Sequence, residues 1–161
     1  MAAATHKTDL GHESISAASA VGVPAGHHIA VEIRSPEGSI WSGMATSLQV
    51  PESLGLMGIM PRHAALLATL VAGLTTIHAE DGRTVKIITG DGFLEIANNR
   101  VLMLVDFGED PAKVDVKRAQ EARDRAVSRL RTAAENVDYA RAEAALRRAL
   151  ARLRYGGEPQ V

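Results

Sequence analysis

The chain has 161 residues and a formal net charge of −1, a length that fits one domain with a helical appendage. Cysteine is absent, which excludes disulfides, thiolate zinc sites and thiol catalysis. Aromatic residues make up 3% of the chain, and no apolar run approaches the roughly 18 residues that a membrane-spanning helix needs. We therefore expect no membrane span and no nucleic-acid binding, which relies on basic charge and aromatic stacking.

Charge is divided unevenly along the chain. Residues 1–112 carry 6 basic and 12 acidic side chains, whereas residues 113–154 carry 12 basic and 6 acidic ones. This division predicts two structural units, of which the second faces an acidic partner or an anion.

The first 26 residues are rich in Ala, Ser, Gly and His and contain few large apolar side chains. Charged residues interrupt any apolar core of a secretory signal, and the arginines of a transit peptide are missing. Such a segment cannot bury enough apolar surface to offset its chain entropy. We predict that residues 1–26 form a disordered N-terminal extension.

Residues 27–109 are predicted to form many short strands, as in a β-sandwich or barrel. Apolar and polar residues alternate over 29–34, and a further strand is expected to close at Val50, before Pro51. Additional strands are expected at 56–60, 74–79, 84–89, 93–96 and 101–105. The Asp81-Gly82 pair predicts a hairpin turn, and Asn98-Asn99 tolerates left-handed turn geometry.

The segment Gly55–Leu67 reads Gly-Leu-Met-Gly-Ile-Met-Pro-Arg-His-Ala-Ala-Leu-Leu. Its glycines and proline predict a tight compound turn with a short helical start. Two interpretations remain open. The segment is either a bent β-corner, in which His63 bonds to the backbone, or an exposed contact loop.

Residues 110–155 are predicted to form an antiparallel hairpin of two helices, followed by a C-terminal tail at 156–161. Asp110-Pro111 and Asp115 are candidate helix starts, Asn136 and Asp138 separate the helices, and Gly156-Gly157 ends the second. Both helices carry an apolar stripe made mostly of alanine. Because alanine buries little area, the hairpin is expected to be only marginally stable.

Several motifs occur in a fixed order. They are the strand and turn at 31–38, the segment Gly55–Leu67, the strand Gly-Asp-Gly-Phe-Leu-Glu-Ile at 90–96, and helical segments at 115–119, 137–139 and 144–149. Together they resemble the epsilon subunit of bacterial F-type ATP synthases, the counterpart of the mitochondrial delta subunit. The resemblance covers about residues 28–154 and leaves residues 1–26 without a counterpart.

The resemblance implies an α+β fold, with an N-terminal β-sandwich followed by the helical hairpin. It also implies a non-catalytic subunit of the central stalk of a rotary, proton-transporting ATP synthase. The sandwich would contact the gamma subunit and the c-ring, and extended helices would reach the alpha/beta catalytic ring and inhibit ATP hydrolysis. The expected location is peripheral, on the cytoplasmic face of the bacterial plasma membrane.

Two sets of site residues follow from the resemblance. A regulatory ATP site would use Glu109, Val114, Asp115, Arg118, Ala119, Arg148 and Arg152. A partner-contact loop, touching the c-ring, would use Met60, Pro61, Arg62 and His63. The alternative to the ATP site is a solvated basic face, on which Asp115 caps a helix.

No acid–base pair, metal cluster or nucleophile arrangement is recognisable in the sequence. We therefore expect no enzymatic activity from this chain alone, no metal and no required cofactor. The alternative function is a free-standing ligand-binding β-domain with a helical dimerisation hairpin.

Overall fold

The computed structural model describes residues 26–132 and 138–157. Most of the predicted N-terminal extension, the predicted break at Asn136 and the last four residues of the predicted tail lie outside the described residues. None of the described helices is long and apolar enough to cross a membrane.

Nine β-strands precede two α-helices in the described part of the chain. The strands are β1 (Ile29–Ser35), β2 (Gly38–Glu52), β3 (Gly55–Ile59), β4 (Leu66–Leu70), β5 (Gly73–Ala79), β6 (Thr84–Thr89), β7 (Gly92–Ala97), β8 (Arg100–Val105) and β9 (Gly108–Glu109). Their hydrogen-bonded order is β1-β8-β7-β4-β2-β5-β6-β9, with β3 on β2 and a further β1–β2 pairing. Among these described strands, only the β1–β8 pair is parallel. The predicted β-sandwich is confirmed.

The long strand β2 joins the two layers of the sandwich. Its first half pairs with β1, from Gly38 to Ala45, and its second half pairs with β5 and β3. The register shifts between Ala45 and Ser47, where the strand leaves one partner for the other. Such an irregularity bends a strand and increases its twist, which lets one strand serve both layers.

Aliphatic side chains fill the space between the layers. The side chains almost fully withdrawn from water include Ile29, Ile33, Leu48, Ile59, Ile77, Ile88, Leu94, Ile96 and Met103. Two buried hydroxyls, on Thr75 and Thr89, bond to each other across 2.9 Å. The core therefore combines close aliphatic packing with a satisfied polar pair.

Two local predictions are wrong. Strand β2 does not stop before Pro51, because this residue pairs with Leu56 and needs no donor there, while its carbonyl accepts from Val71 N at 3.2 Å. The residues after His63 do not begin a helix, because Leu66–Leu70 forms strand β4 against β7. Tertiary pairing overrides the local preference of this aliphatic run.

The helices begin where carboxylates cap them. Asp110 caps a 3-10 turn at Pro111–Lys113, whereas Asp115 and Asp138 cap α1 (Val116–Arg131) and α2 (Tyr139–Tyr155). Each capping carboxylate accepts a backbone N–H at 2.9 Å. The first predicted helix therefore splits into a short turn and α1, because Asp110 and Asp115 each start an element of their own.

The helices pack against each other through alanine. The buried side chains of the hairpin are Ala119 and Ala126 on α1, and Ala142, Ala149 and Ala151 on α2. Four of them are seven residues apart in pairs, which is two helical turns. The helices can therefore lie close together while burying little apolar area per residue.

Candidate functional site

A cavity of about 430 Å³ lies where the hairpin meets the sandwich. Its lining residues are Glu109, Lys113, Val114, Asp115, Arg118, Ala119, Ala122, Arg125 and Arg152. Six of the seven predicted ATP-site residues are among them, and Arg148 is not. We call this cavity the junction cleft.

One wall of the junction cleft is the start of α1. The carboxylate of Asp115 accepts a hydrogen bond from the backbone N–H of Arg118 at 2.9 Å, so it caps the helix. The guanidinium of Arg118 is exposed and makes no ion pair within the described residues. Its five N–H groups are thus open to an anion.

The opposite wall is built by Arg152 of α2. Its Nε and Nη2 atoms donate to the Glu109 carboxylate at 2.8 and 2.6 Å. Its guanidinium also lies over the Phe107 ring, 4.4 Å from the centroid. This two-point contact fixes Arg152 at the cleft, and it leaves fewer N–H groups for a ligand than Arg118 offers.

Two basic residues of the cleft were missed by the sequence prediction. Lys113 and Arg125 join Arg118 and Arg152 in lining the cavity. Arg125 follows Arg118 by seven residues, so the two lie on one face of α1, and this spacing could have identified it. Four cations against two carboxylates suit an anion with several charges, such as a polyphosphate.

Arg148 lies away from the cleft, toward the sandwich. Its Nη1 atom is 4.0 Å from the Asp106 carboxylate. The neighbouring Arg147 donates to Asp91 at 2.9 Å, and this hydrogen bond raises the pKa of Arg147 above its ordinary value. We call the pairs of Arg147, Arg148 and Arg152 with Asp91, Asp106 and Glu109 the α2 latch.

A second groove, of about 530 Å³, opens on the other side of Glu109. Lys86 is its one basic lining residue among the described part of the chain, beside the acidic Glu37 and Asp110. It is larger than the junction cleft, but its charge suits a phosphate less well.

The predicted partner-contact loop combines features of both interpretations. His63 is half-buried, and its Nδ1 atom lies 2.9 Å from the Ala64 carbonyl, as expected for a β-corner. Met60 and Arg62 are exposed, as expected for a contact loop, and Pro61 is half-buried between them. The loop is therefore a bent corner on which Met60 and Arg62 are exposed.

Large apolar side chains are exposed on neighbouring strands of the sandwich. Leu67 on β4 is 74% exposed, Phe93 on β7 is 58% exposed and Leu104 on β8 is 50% exposed. Phe93 pairs directly with Leu104 in the sheet. Leu54 and Leu56 at the β2–β3 hairpin are exposed as well. Such a concentration of apolar surface is typical of an interaction face.

Comparison with known proteins identifies both parts of the chain. A family model described as the beta-sandwich domain of the ATP synthase Delta/Epsilon chain matches residues 28–111, and one for its long alpha-helix domain matches residues 113–156. The ATP synthase epsilon chain of Pelotomaculum thermopropionicum is 38% identical over 100 residues, covering 62% of this chain and 74% of the relative.

Two solved structures share the fold. One is from the mitochondrial ATP synthase of Euglena gracilis (OSCP/F1/c-ring), with a TM-score of 0.68 and 16% identity over 78% of this chain and 79% of the other. The second is from Tetrahymena thermophila mitochondrial ATP synthase (central stalk/c-ring), with a TM-score of 0.51 and 15% identity over 78% and 91%. The family models match both structural units and the relative is an epsilon chain, so the chain belongs to the family of ATP synthase delta/epsilon chains, as an epsilon-type subunit.

Proposed function

We propose that the chain works as a coupling and braking subunit in the central stalk of a rotary, proton-transporting ATP synthase. The observation that carries the proposal is the joining of a well-packed sandwich to a hairpin held by alanines and surface ion pairs, in a chain of this family. The chain itself performs no catalysis in this proposal. It sits peripherally, on the cytoplasmic face of the bacterial plasma membrane.

The sandwich would be the coupling part. The structural relatives come from assemblies that contain a c-ring, and one of them is a central stalk. We assign the exposed strip of Leu67, Phe93 and Leu104 to the gamma subunit, because a stalk partner that turns with the chain needs a permanent apolar interface. The loop of Met60 to His63 is assigned to the c-ring.

The hairpin would be the brake. In its compact form it is fastened to the sandwich by the α2 latch, whose carboxylates lie on two loops of the sandwich (Asp91 and Asp106) and on β9 (Glu109). Once released, the same arginines would be free to meet acidic surfaces of the alpha/beta ring. A switch requires two conformations that differ by only a few kcal/mol, and new carboxylate partners would let the extended form recover part of the charge pairing lost on release.

Regulatory ATP would bind in the junction cleft and favour the compact form. The cleft joins residues of α1, of α2 and of the segment that precedes α1, so a ligand there bridges elements that separate on extension. A ligand shifts this equilibrium by its differential affinity for the two states. At 100 times its dissociation constant, ATP would add about 2.7 kcal/mol in favour of the compact hairpin.

The brake is tested by two variants with opposite expected effects on ATP hydrolysis by the assembled complex. Ending the chain after Ala112 removes the hairpin and should raise hydrolysis. The double variant Asp91→Asn and Asp106→Asn weakens the α2 latch without changing the helix, and should lower hydrolysis. The amide introduced by Asp91→Asn retains an oxygen for the Ala72 N–H, which Asp91 accepts at 2.7 Å. Unchanged hydrolysis in both variants would reject the brake.

The ATP site is tested by titration calorimetry of the full chain with ATP and ADP. Arg118→Ala should weaken ATP binding about tenfold, because it removes a charged donor from the cleft. Arg129→Ala is the matched control, since Arg129 is an exposed arginine of α1 outside both the cleft lining and the α2 latch, and its loss should leave affinity within about twofold. Absence of heat at millimolar ATP, or equal losses in both variants, would favour a basic face without a nucleotide site.

A further inference from the structure

The turn between β7 and β8 consists of two asparagines, Asn98 and Asn99, flanked by the pair Ala97 and Arg100. Both have left-handed backbones, with φ of 50° and 57°. A two-residue hairpin of this kind requires positive φ at both positions, and asparagine is one of the few residues that accept it. The backbone alone thus explains an asparagine at either position.

The two side chains differ in what they contact. Asn98 is exposed, and its amide has no hydrogen-bond partner in the described part of the chain. Asn99 is half-buried, and its amide bridges two distant segments. Its Oδ1 atom accepts from the Arg62 backbone N–H at 2.8 Å, and its Nδ2 atom donates to the His28 carbonyl at 2.8 Å. Only this orientation of the amide satisfies both partners.

Arg62 sits in a conformation that its side chain disfavours. Its φ is 66°, in the left-handed region where a Cβ atom approaches the following carbonyl. Within the residues that the structure describes, the corner is also closed by a backbone hydrogen bond from His63 N to Met60 O at 3.1 Å. The bond from Arg62 to Asn99 therefore ties the disfavoured residue to the rigid end of the sheet.

We propose that Asn99 is a positioning residue that fixes the shape of the Met60–His63 loop and, through it, the surface offered to a partner. The identity of that partner, the c-ring, rests on the proposed function. Asn99 also accepts from Ala30 N at 3.2 Å through its own carbonyl, which anchors the turn to β1 whatever the side chain does. These hydrogen bonds thereby fix the position of the loop relative to the sandwich.

The test compares Asn99→Gly with Asn98→Gly in the full chain. Glycine accepts positive φ at both positions, so both variants keep the turn, and only the first removes a side-chain bridge. The readout is the rate of trypsin cleavage after Arg62, followed by mass spectrometry. Cleavage after Arg83, in a separate exposed turn, is the internal control.

Asn99→Gly should accelerate cleavage after Arg62 about tenfold, because cleavage requires the corner to open locally. Asn98→Gly should leave this rate unchanged, and cleavage after Arg83 should be constant in both variants. Equal rates after Arg62 in the two variants would overturn the proposal.

Asn99→Asp separates the two halves of the bridge. Aspartate keeps the oxygen that accepts from Arg62 N but cannot donate to the His28 carbonyl. If the hydrogen bond to Arg62 N fixes the conformation of the loop, trypsin should cleave the Asn99→Asp variant after Arg62 at a rate close to that of the parent chain. Cleavage as fast as in Asn99→Gly would overturn the proposal, because the effect would then come from the His28 side.

A second readout addresses the partner. In the assembled complex, Asn99→Gly should lower the number of protons pumped per ATP hydrolysed, whereas Asn98→Gly should not. Faster cleavage together with unchanged pumping would support the positioning role of Asn99 and reject the assignment of this loop to the c-ring. The two proposals can therefore fail separately.

Discussion

In the sandwich, the side chains withdrawn from water are mostly isoleucine, leucine and valine, whereas in the hairpin they are alanine. A fully buried Ile or Leu stabilises a fold by about 1.5–3 kcal/mol, and one buried methyl group by about 0.8 kcal/mol. Disrupting the sandwich therefore costs much free energy, whereas the two helices of the hairpin can separate at a modest free-energy cost. The two units differ in how firmly each holds its own conformation.

The contact between the two units differs from the aliphatic packing of the sandwich and from the alanine packing of the hairpin. It includes three ion pairs, in which Arg147, Arg148 and Arg152 face carboxylates of the sandwich. Exposed ion pairs contribute about 0–1 kcal/mol each, and salt screens them. Docking of the hairpin should thus depend on ionic strength, whereas the stability of the sandwich should not.

The largest expected effect comes from the same substitution made at a buried leucine of the sandwich and at a partly exposed leucine of the hairpin. Leu94→Ala removes a side chain that is 0% exposed in the sandwich and should cost about 3 kcal/mol. Leu150→Ala on α2, where the side chain is 47% exposed, should cost less than about 1 kcal/mol. Urea unfolding of both variants measures the difference, and similar losses would contradict the contrast between the units.

A smaller effect probes the close approach of the helices. Ala149→Leu forces a larger side chain between α1 and α2 and should weaken the hairpin by about 1–3 kcal/mol. Ala140→Leu adds the same atoms at an exposed position of α2 and serves as control. Hydrogen exchange should quicken in both helices of the first variant and stay constant in β1 to β8. Faster exchange in the strands as well would mean that the two units unfold together.

Much of the fold follows from local signals in the sequence. Strand β6 and the turns at Gly82 and Asn98-Asn99 lie where the sequence predicted them, because alternation and turn residues act over a few positions. Strand β4 was mistaken for a helical start, since a run such as Leu66–Leu70 becomes a strand only through its partner β7. The residues of such a short segment do not by themselves reveal its pairing with a distant strand.

The candidate site was predicted unevenly for a similar reason. Asp115 and Arg118 belong to one helical turn, so a motif captures them together. Arg148 and Arg152 are four residues apart and were expected to act together, yet Arg152 lines the cleft while Arg148 turns to Asp106. Which arginine faces the cleft depends on where the fold places Asp106 and Glu109, and a local sequence pattern does not show these positions. The role of Asn99 stayed hidden because its partners lie 37 and 71 residues away.

The smallest expected effect compares two exposed ion pairs of similar geometry. Arg147 meets Asp91 at 2.9 Å across the boundary between the units, and Arg83 meets Asp81 at 2.6 Å within one turn. Arg147→Gln should weaken the docking of the hairpin on the sandwich by about 0.5 kcal/mol, which roughly doubles the rate of hydrogen exchange in α2. Arg83→Gln should leave hydrogen exchange in α2 unchanged.

Salt and pH sharpen this last comparison. The hydrogen bond to Asp91 raises the folded-state pKa of Arg147 above its ordinary value, so the stabilisation by this pair is complete below the ordinary pKa and is lost only as the pH rises through the raised one. Raising the pH from 7 to 9 should therefore not open the hairpin, whereas 1 M salt, with a Debye length of about 3 Å, should. In Arg147→Gln the salt effect should shrink, since one latch pair is already gone. An undiminished salt response would mean that other charges, rather than this pair, hold α2 to the sandwich.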